Sequence, residues 1–187
     1  MHAINTGVRK SRMELGHIYF WTATIHKSLP LLHSDAHKQY ILDSLAYLST
    51  QQLIDVFAFV IMPNHIHLIW QLKRYNGKEL PSASLLKFTA HHFLKELKHS
   101  GGHKQYIVEE ANRMHRIWQD DSLAYEINSR GIAKQKLNDI HQNPVSDKWM
   151  LVRDARNYHF SSIRFYENPD QDFGFLKDIF LVLIDSS

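Results

Sequence analysis

The clearest pattern along the chain is an apolar run, Leu53 to Met62, that stops at Pro63-Asn64 and restarts as His65-Ile66-His67-Leu68-Ile69-Trp70. Both halves are rich in β-branched and aromatic residues, and the break is short. That predicts two antiparallel strands, 53–62 and 65–72, joined by a tight turn. Proline presets φ in such a turn and asparagine tolerates the left-handed region. Side chains alternate faces along a strand, so His65 and His67 project from one side with Ile69, while Ile66, Leu68 and Trp70 line the other. A further strand is predicted over His17 to Ile25, where Tyr19 and Trp21 share a face and are expected to be buried.

Helical spacing marks three more segments. Asp35 is placed to cap a helix from Ala36 to about Ser49, with Tyr40, Ile41, Leu45 and Leu48 on one side. Ser82 is placed to cap a second, running to about His99 with Leu85, Leu86, Thr89, Phe93, Leu94 and Leu97 on its apolar side and a basic side opposite, ended by Gly101-Gly102. Ser129 starts a third, Gly131 to about Gln142, which Pro144 ends. Between them, 103–128 has no sustained period; Arg113 to Gln119 is predicted as a short strand, followed by Asp120-Asp121. Beyond Asp147 a partly helical wrap is expected, ending in the apolar run 175–184.

This order predicts an α+β fold, a ferredoxin-like antiparallel sheet with helices on one face and the other face available for a site. The expected organisation is a loose leader over 1–15, one main domain over 16–145 and a C-terminal extension over 146–187 packed on the same domain. An apolar share of 44% is that of a folded protein. With Lys plus Arg at 22 against 19 for Asp plus Glu, the basic excess is mild and permits nucleic-acid binding without demanding it. The chain has no cysteine, which excludes disulfides, thiolate zinc sites and cysteine nucleophiles. Neither a secretory signal nor an apolar run of membrane-spanning length is present, so a cytoplasmic protein with no membrane partner is expected.

His65 and His67, side by side on a strand, make half of a metal site, and a metal held there could polarise a phosphodiester. A second polar cluster lies at Lys136 to Val145, where Asp139 and Asn143 are four residues apart and share a helix face. Read alone, Asn143 closes a helix ahead of Pro144.

Together these stretches resemble the HUH single-strand DNA transposases, the IS200-like superfamily, and within them the REP-associated tyrosine transposases. The resemblance rests on Phe59 to Trp70, on Lys87-Phe88-Thr89, on Trp118-Gln119, on Lys136 to Val145 and on Tyr158 to Ser162, in family order across about 17–165. It implies a divalent cation, Mg²⁺ or Mn²⁺, held by His65, His67 and, by its place in the Asn-Pro-Val match, Asn143. It also implies a partner, single-stranded or hairpin DNA, and an activity: metal-dependent endonuclease nicking and rejoining through a 5′-phosphotyrosine link. Such proteins act as monomers or homodimers.

The chain departs from the family at the nucleophile. The family pattern reads Tyr-Ile-His-x-Asn-Pro-Val, and here its first position is Asp139. An aspartate repels the phosphate it would attack, and its adduct would be a readily hydrolysed acyl phosphate. Three outcomes follow: a hydrolytic nuclease, a domesticated module that binds hairpin DNA without cutting, or a substitute tyrosine, for which Tyr125 is the nearest upstream. Impaired or lost strand transfer with retained hairpin binding is the favoured expectation. Lys87, Lys95, Lys98, Arg113 and Arg116 are candidate DNA contacts; Trp118, beside the two arginines, reads equally as a base-stacking or a core residue, and Tyr158 reads as packing.

Overall fold

The computed structural model describes residues 9–10, 13–110, 113–168 and 173–183, with the backbone alone for Arg9, Lys10, Glu110 and Arg113. The leader expected over 1–15 falls largely outside these residues. In chain order the elements are β1 (Arg9–Lys10), β2 (Ile18–Thr24), α1 (Asp35–Thr50), β3 (Ile54–Ile61), β4 (His65–Leu72), α2 (Pro81–Ser100), β5 (Ile107–Glu110), β6 (Arg113–His115), β7 (Leu123–Glu126), α3 (Arg130–Gln142) and α4 (Ile163–Glu167).

β-branched and aromatic residues at alternate positions build the centre of the sheet. β2 pairs with β4 over its whole length, from Ile18 opposite Gln71 to Thr24 opposite His65, and β4 pairs with β3 on its other side. The strand order is β1-β7-β2-β4-β3, antiparallel throughout. Setting aside the two-residue β1, this is the fourth-first-third-second order of a βαββαβ unit, so the ferredoxin-like expectation holds. The register between β3 and β4 shifts after Val56, which leaves Phe57 as an extra residue and bends the edge strand.

One face of the sheet is dry. Tyr19, Trp21, Ile25, Ile66, Leu68 and Trp70 are all buried, with the Trp21 and Trp70 rings 4.9 Å apart. α1 and α2 pack on each other above this face. Trp118 ties α2 to it: the residue bridges to Ile25, its indole N–H donates to Thr89 Oγ1 at 3.0 Å, and its ring lies 6.2 Å from that of Phe93. The opposite face, expected to be available for a site, is crossed by α3, which packs across β3 and β4 there.

Several boundaries differ from expectation for local reasons. Ser34, not Asp35, precedes α1, and Asp35 instead pairs with Lys38 at 2.8 Å. Leu80 precedes α2, with Pro81 in the first turn, where its missing N–H costs nothing; Ser82 lies inside the helix. Ser129 does cap α3, its hydroxyl accepting from Ile132 N. The strand expected over 113–119 is only β6, paired with β5 in a separate ribbon, and the fourth strand of the main sheet is β7.

The chain after α3 closes the outer edge of β3. Ile61 N donates to Phe160 O and Ser162 N to Phe59 O, both at 2.9 Å, and Lys177 N donates to Val56 O at 2.9 Å. Tyr158, buried as expected for a packing residue, donates its hydroxyl to Ile61 O at 2.7 Å. Among the described residues no helix is long and apolar enough to cross a membrane.

Candidate functional site

His65 and His67 project from β4 on the face that α3 covers, and their ring centroids lie 4.6 Å apart. Each ring is fixed through Nδ1. The amide oxygen of Asn64 lies 2.7 Å from His65 Nδ1; an amide oxygen only accepts, so Nδ1 carries the proton and Nε2 presents its lone pair. The hydroxyl of Thr22, directly across from His67 in the sheet, lies 2.7 Å from that ring's Nδ1. With Nδ1–H donating to it, His67 Nε2 is also a free lone pair. Phe20 stacks on the His67 ring at 5.2 Å and holds its plane.

Both imidazoles are held neutral. Burial, followed by the nearby charge of Lys148, lowers His65 to about 4. Burial, then His65, then Lys136, lowers His67 to about 3. At neutral pH neither ring must lose a proton before it can ligate.

α3 supplies the polar groups above the pair. Lys136 Nζ lies 4.9 Å from the Phe20 ring and 5.9 Å from the Tyr125 ring, and it pairs with Asp139 Oδ2 at 3.0 Å. Lys136, Asp139 and Asn143 stand three and four residues apart, so they share one side of the helix. Asn143 caps the C-terminal end of α3 and starts a short 3-10 turn, Asn143–Val145, with its backbone carbonyl taken by Ser146. Tyr125 sits on β7 directly opposite Phe20, partly exposed, on the same face of the sheet.

The donor set fits a divalent cation. Two neutral imidazoles with Nδ1 engaged and Nε2 unengaged are the usual pattern of ligating histidines, whose far nitrogen is oriented by a hydrogen bond. No cluster of three or more His, Cys, Asp or Glu forms among the described residues.

The basic candidates divide. Lys87, Lys95 and Lys98 belong to α2, on the sheet face opposite the histidines, and Lys87 pairs with Glu79 at 3.5 Å. Arg116 pairs with Asp120 at 3.0 Å. The Arg113 side chain lies outside the described residues. Trp118 is a buried core residue. Sequence reasoning missed Thr22 and Asn64 as parts of the site, and named Lys136 only as the start of a polar stretch. Asn64 was legible only as a turn residue, yet its φ is not positive; it serves through its side chain, which also donates to Ser28 O at 3.2 Å. Lys148 and Trp149 were missed as well, because nothing in the pattern folds residues 146–151 back onto β4.

No family model and no curated protein matches the chain. Solved structures do. One is a REP-associated tyrosine transposase bound to a REP hairpin, with a TM-score of 0.58 and 19% identity over 91% of this chain and 96% of that one. Another is a candidate transposase from Deinococcus radiodurans R1, with a TM-score of 0.41 and 16% identity over 71% of this chain and 97% of that one. The βαββαβ sheet, its flanking helices and the C-terminal wrap therefore make up the fold of a REP-associated tyrosine transposase.

Proposed function

We propose that this chain binds hairpin-bearing single-stranded DNA, holds a divalent cation through His65, His67 and Asn143, and has lost or impaired the strand transfer that its fold family performs. The observation that carries the reading is the pair of neutral imidazoles, each oriented through Nδ1, beneath the side of α3 that presents Lys136 and Asp139. The likeness in fold to a protein bound to a REP hairpin supports the choice of nucleic acid. A cation at this position, when bound, supplies Lewis-acid polarisation of a phosphodiester; Mg²⁺ or Mn²⁺ is the metal expected from the fold family.

The remaining roles belong to the chain itself. Thr22 and Asn64 hold the two rings in register. Lys136 offers a positive charge to a phosphate oxygen. Asp139 is committed to Lys136 in an ion pair, and a carboxylate is a poor attacking group on an anionic phosphate. Tyr125 is the one tyrosine beside Lys136 among the described residues.

The test is incubation with a hairpin-bearing oligonucleotide and Mn²⁺, followed by a denaturing gel. Retarded hairpin on a native gel with no protein–DNA adduct after denaturation is expected. An adduct at Asp139 or Tyr125, located by tryptic mapping, would restore transposase chemistry to this chain. Cleavage without an adduct would make it a hydrolytic nuclease, and absence of hairpin binding would end the reading. Asp139→Tyr is expected to gain an adduct if only the nucleophile has been lost.

A further inference from the structure

The turn that follows α3 is tightly tied and carries an aromatic ring to the rim of the histidine pair. Trp149 N and Met150 N both donate to Ser146 O at 2.9 Å, and Leu151 N donates to Pro144 O at 2.8 Å. Ser146 in turn donates through N and Oγ to Asn143 O, at 3.2 and 2.8 Å. The end of α3 thus dictates where residues 146–151 lie. Met150 completes the turn at φ 44°, a left-handed conformation that non-glycine residues seldom adopt.

The turn sets the Trp149 ring 5.7 Å from that of His65. Lys148 Nζ lies 5.2 Å from the Trp149 ring, and its charge reaches His65. Lys148 is exposed, Met150 is 74% exposed and Trp149 is partly open. The other three indoles, Trp21, Trp70 and Trp118, are all buried. A cation, a partly exposed indole and a thioether therefore stand in sequence beside an imidazole, with Met150 held in an uncommon backbone conformation. Unpaired nucleotides are held by this combination: bases stack on aromatic faces with little regard to sequence, and a lysine meets the phosphate as a point charge.

We propose that Lys148, Trp149 and Met150 seat one unpaired nucleotide beside the histidine pair, its base stacked on the Trp149 indole and its phosphate against Lys148. The inference rests on the reading above that single-stranded DNA passes the pair, and it adds which residues grip the strand and where.

The buried state of the other indoles makes the test direct. The full chain is titrated with a short oligothymidine, a blunt hairpin, and the same hairpin carrying an oligothymidine flank, following tryptophan emission and, separately, retardation on a native gel. Quenching by the oligothymidine and by the flanked hairpin is expected, and its loss in Trp149→Phe. Trp149→Ala is expected to weaken the flanked hairpin roughly tenfold and to leave the blunt hairpin unchanged. Lys148→Gln is expected to flatten the salt dependence of the flanked hairpin. If the flanked hairpin is retarded while emission stays constant and Trp149→Ala binds it equally well, the seat is refuted and hairpin binding stands. If no probe is retarded, both readings fall. Should Trp149→Ala fail to fold, the emission difference between the parent and Trp149→Phe still decides.

Discussion

Thr22 and His67 face each other across β2 and β4, with the threonine hydroxyl 2.7 Å from the imidazole Nδ1. The pairing fixes the far nitrogen of the ring, and a ligating histidine that loses such an orienting partner typically binds metal about 10- to 100-fold more weakly. Thr22→Val keeps the shape and removes the hydroxyl. Its affinity for Mn²⁺, followed by electron paramagnetic resonance of the free ion, is expected to fall by about that factor, with the circular dichroism spectrum preserved. An unchanged affinity would mean that His67 does not ligate.

Three histidines are held neutral by burial: His65 at about 4, His67 at about 3 and His141 at about 4. In the unfolded chain a histidine titrates near 6.5. Below that pH the unfolded state binds more protons than the folded one, so stability is present above about 6.5 and is lost as pH falls toward 4. Each fully coupled histidine contributes a slope of at most about 1.4 kcal/mol per pH unit, less for the partly open His65. Urea midpoints measured without metal should decline steadily from pH 7 to pH 5. A flat profile over that range would contradict the burial of these rings.

Ser162 ties three groups together: its hydroxyl lies 3.0 Å from Phe59 N, 3.2 Å from Phe59 O and 3.0 Å from His141 Nε2. Alanine there leaves a buried amide and a buried imidazole short of a partner, a loss of about 1–3 kcal/mol. Ser162→Ala is expected to lower the denaturant midpoint by that amount with an unchanged m-value. Tyr158→Phe, which frees only one carbonyl, should cost less.

Trp118 belongs to the core through one polar contact, its indole N–H on Thr89 Oγ1. Trp118→Phe should therefore lower stability by about 1–3 kcal/mol, from the lost bond and the smaller ring, while leaving Mn²⁺ affinity at the histidine pair as it was. Coupling between the two would place Trp118 at the site and contradict the sheet geometry.

The central part of this fold was readable because its signals are strong and local. β4 was predicted over its observed span, since His65 to Leu72 alternates cleanly and Pro63-Asn64 delimits it. Ser129 announced α3 by a side chain that caps it. β7 was not found, because four residues of mixed polarity, Leu-Ala-Tyr-Glu, carry too little period to stand out, and the β5–β6 ribbon ahead of them breaks the rhythm. The same holds at the site. Two histidines at alternate positions announce themselves, whereas Thr22, separated by 45 residues from His67, becomes its partner only once β2 and β4 are in register. The turn bearing Trp149 is set by backbone bonds to the end of α3, which no side-chain pattern encodes.

On the side of β3 that faces away from β4, the amide of Ile61 donates to Phe160, and the carbonyls of Phe59 and Val56 accept from Ser162 and Lys177. A version stopped ahead of Tyr158 would keep β2, β4 and the histidines yet offer an apolar, unpaired ridge, Val56 to Ile61, to any neighbouring molecule. Such a ridge recruits strands from other copies, so the tail acts as a built-in guard against self-association, and shortened forms of this protein should precipitate before they lose their sheet.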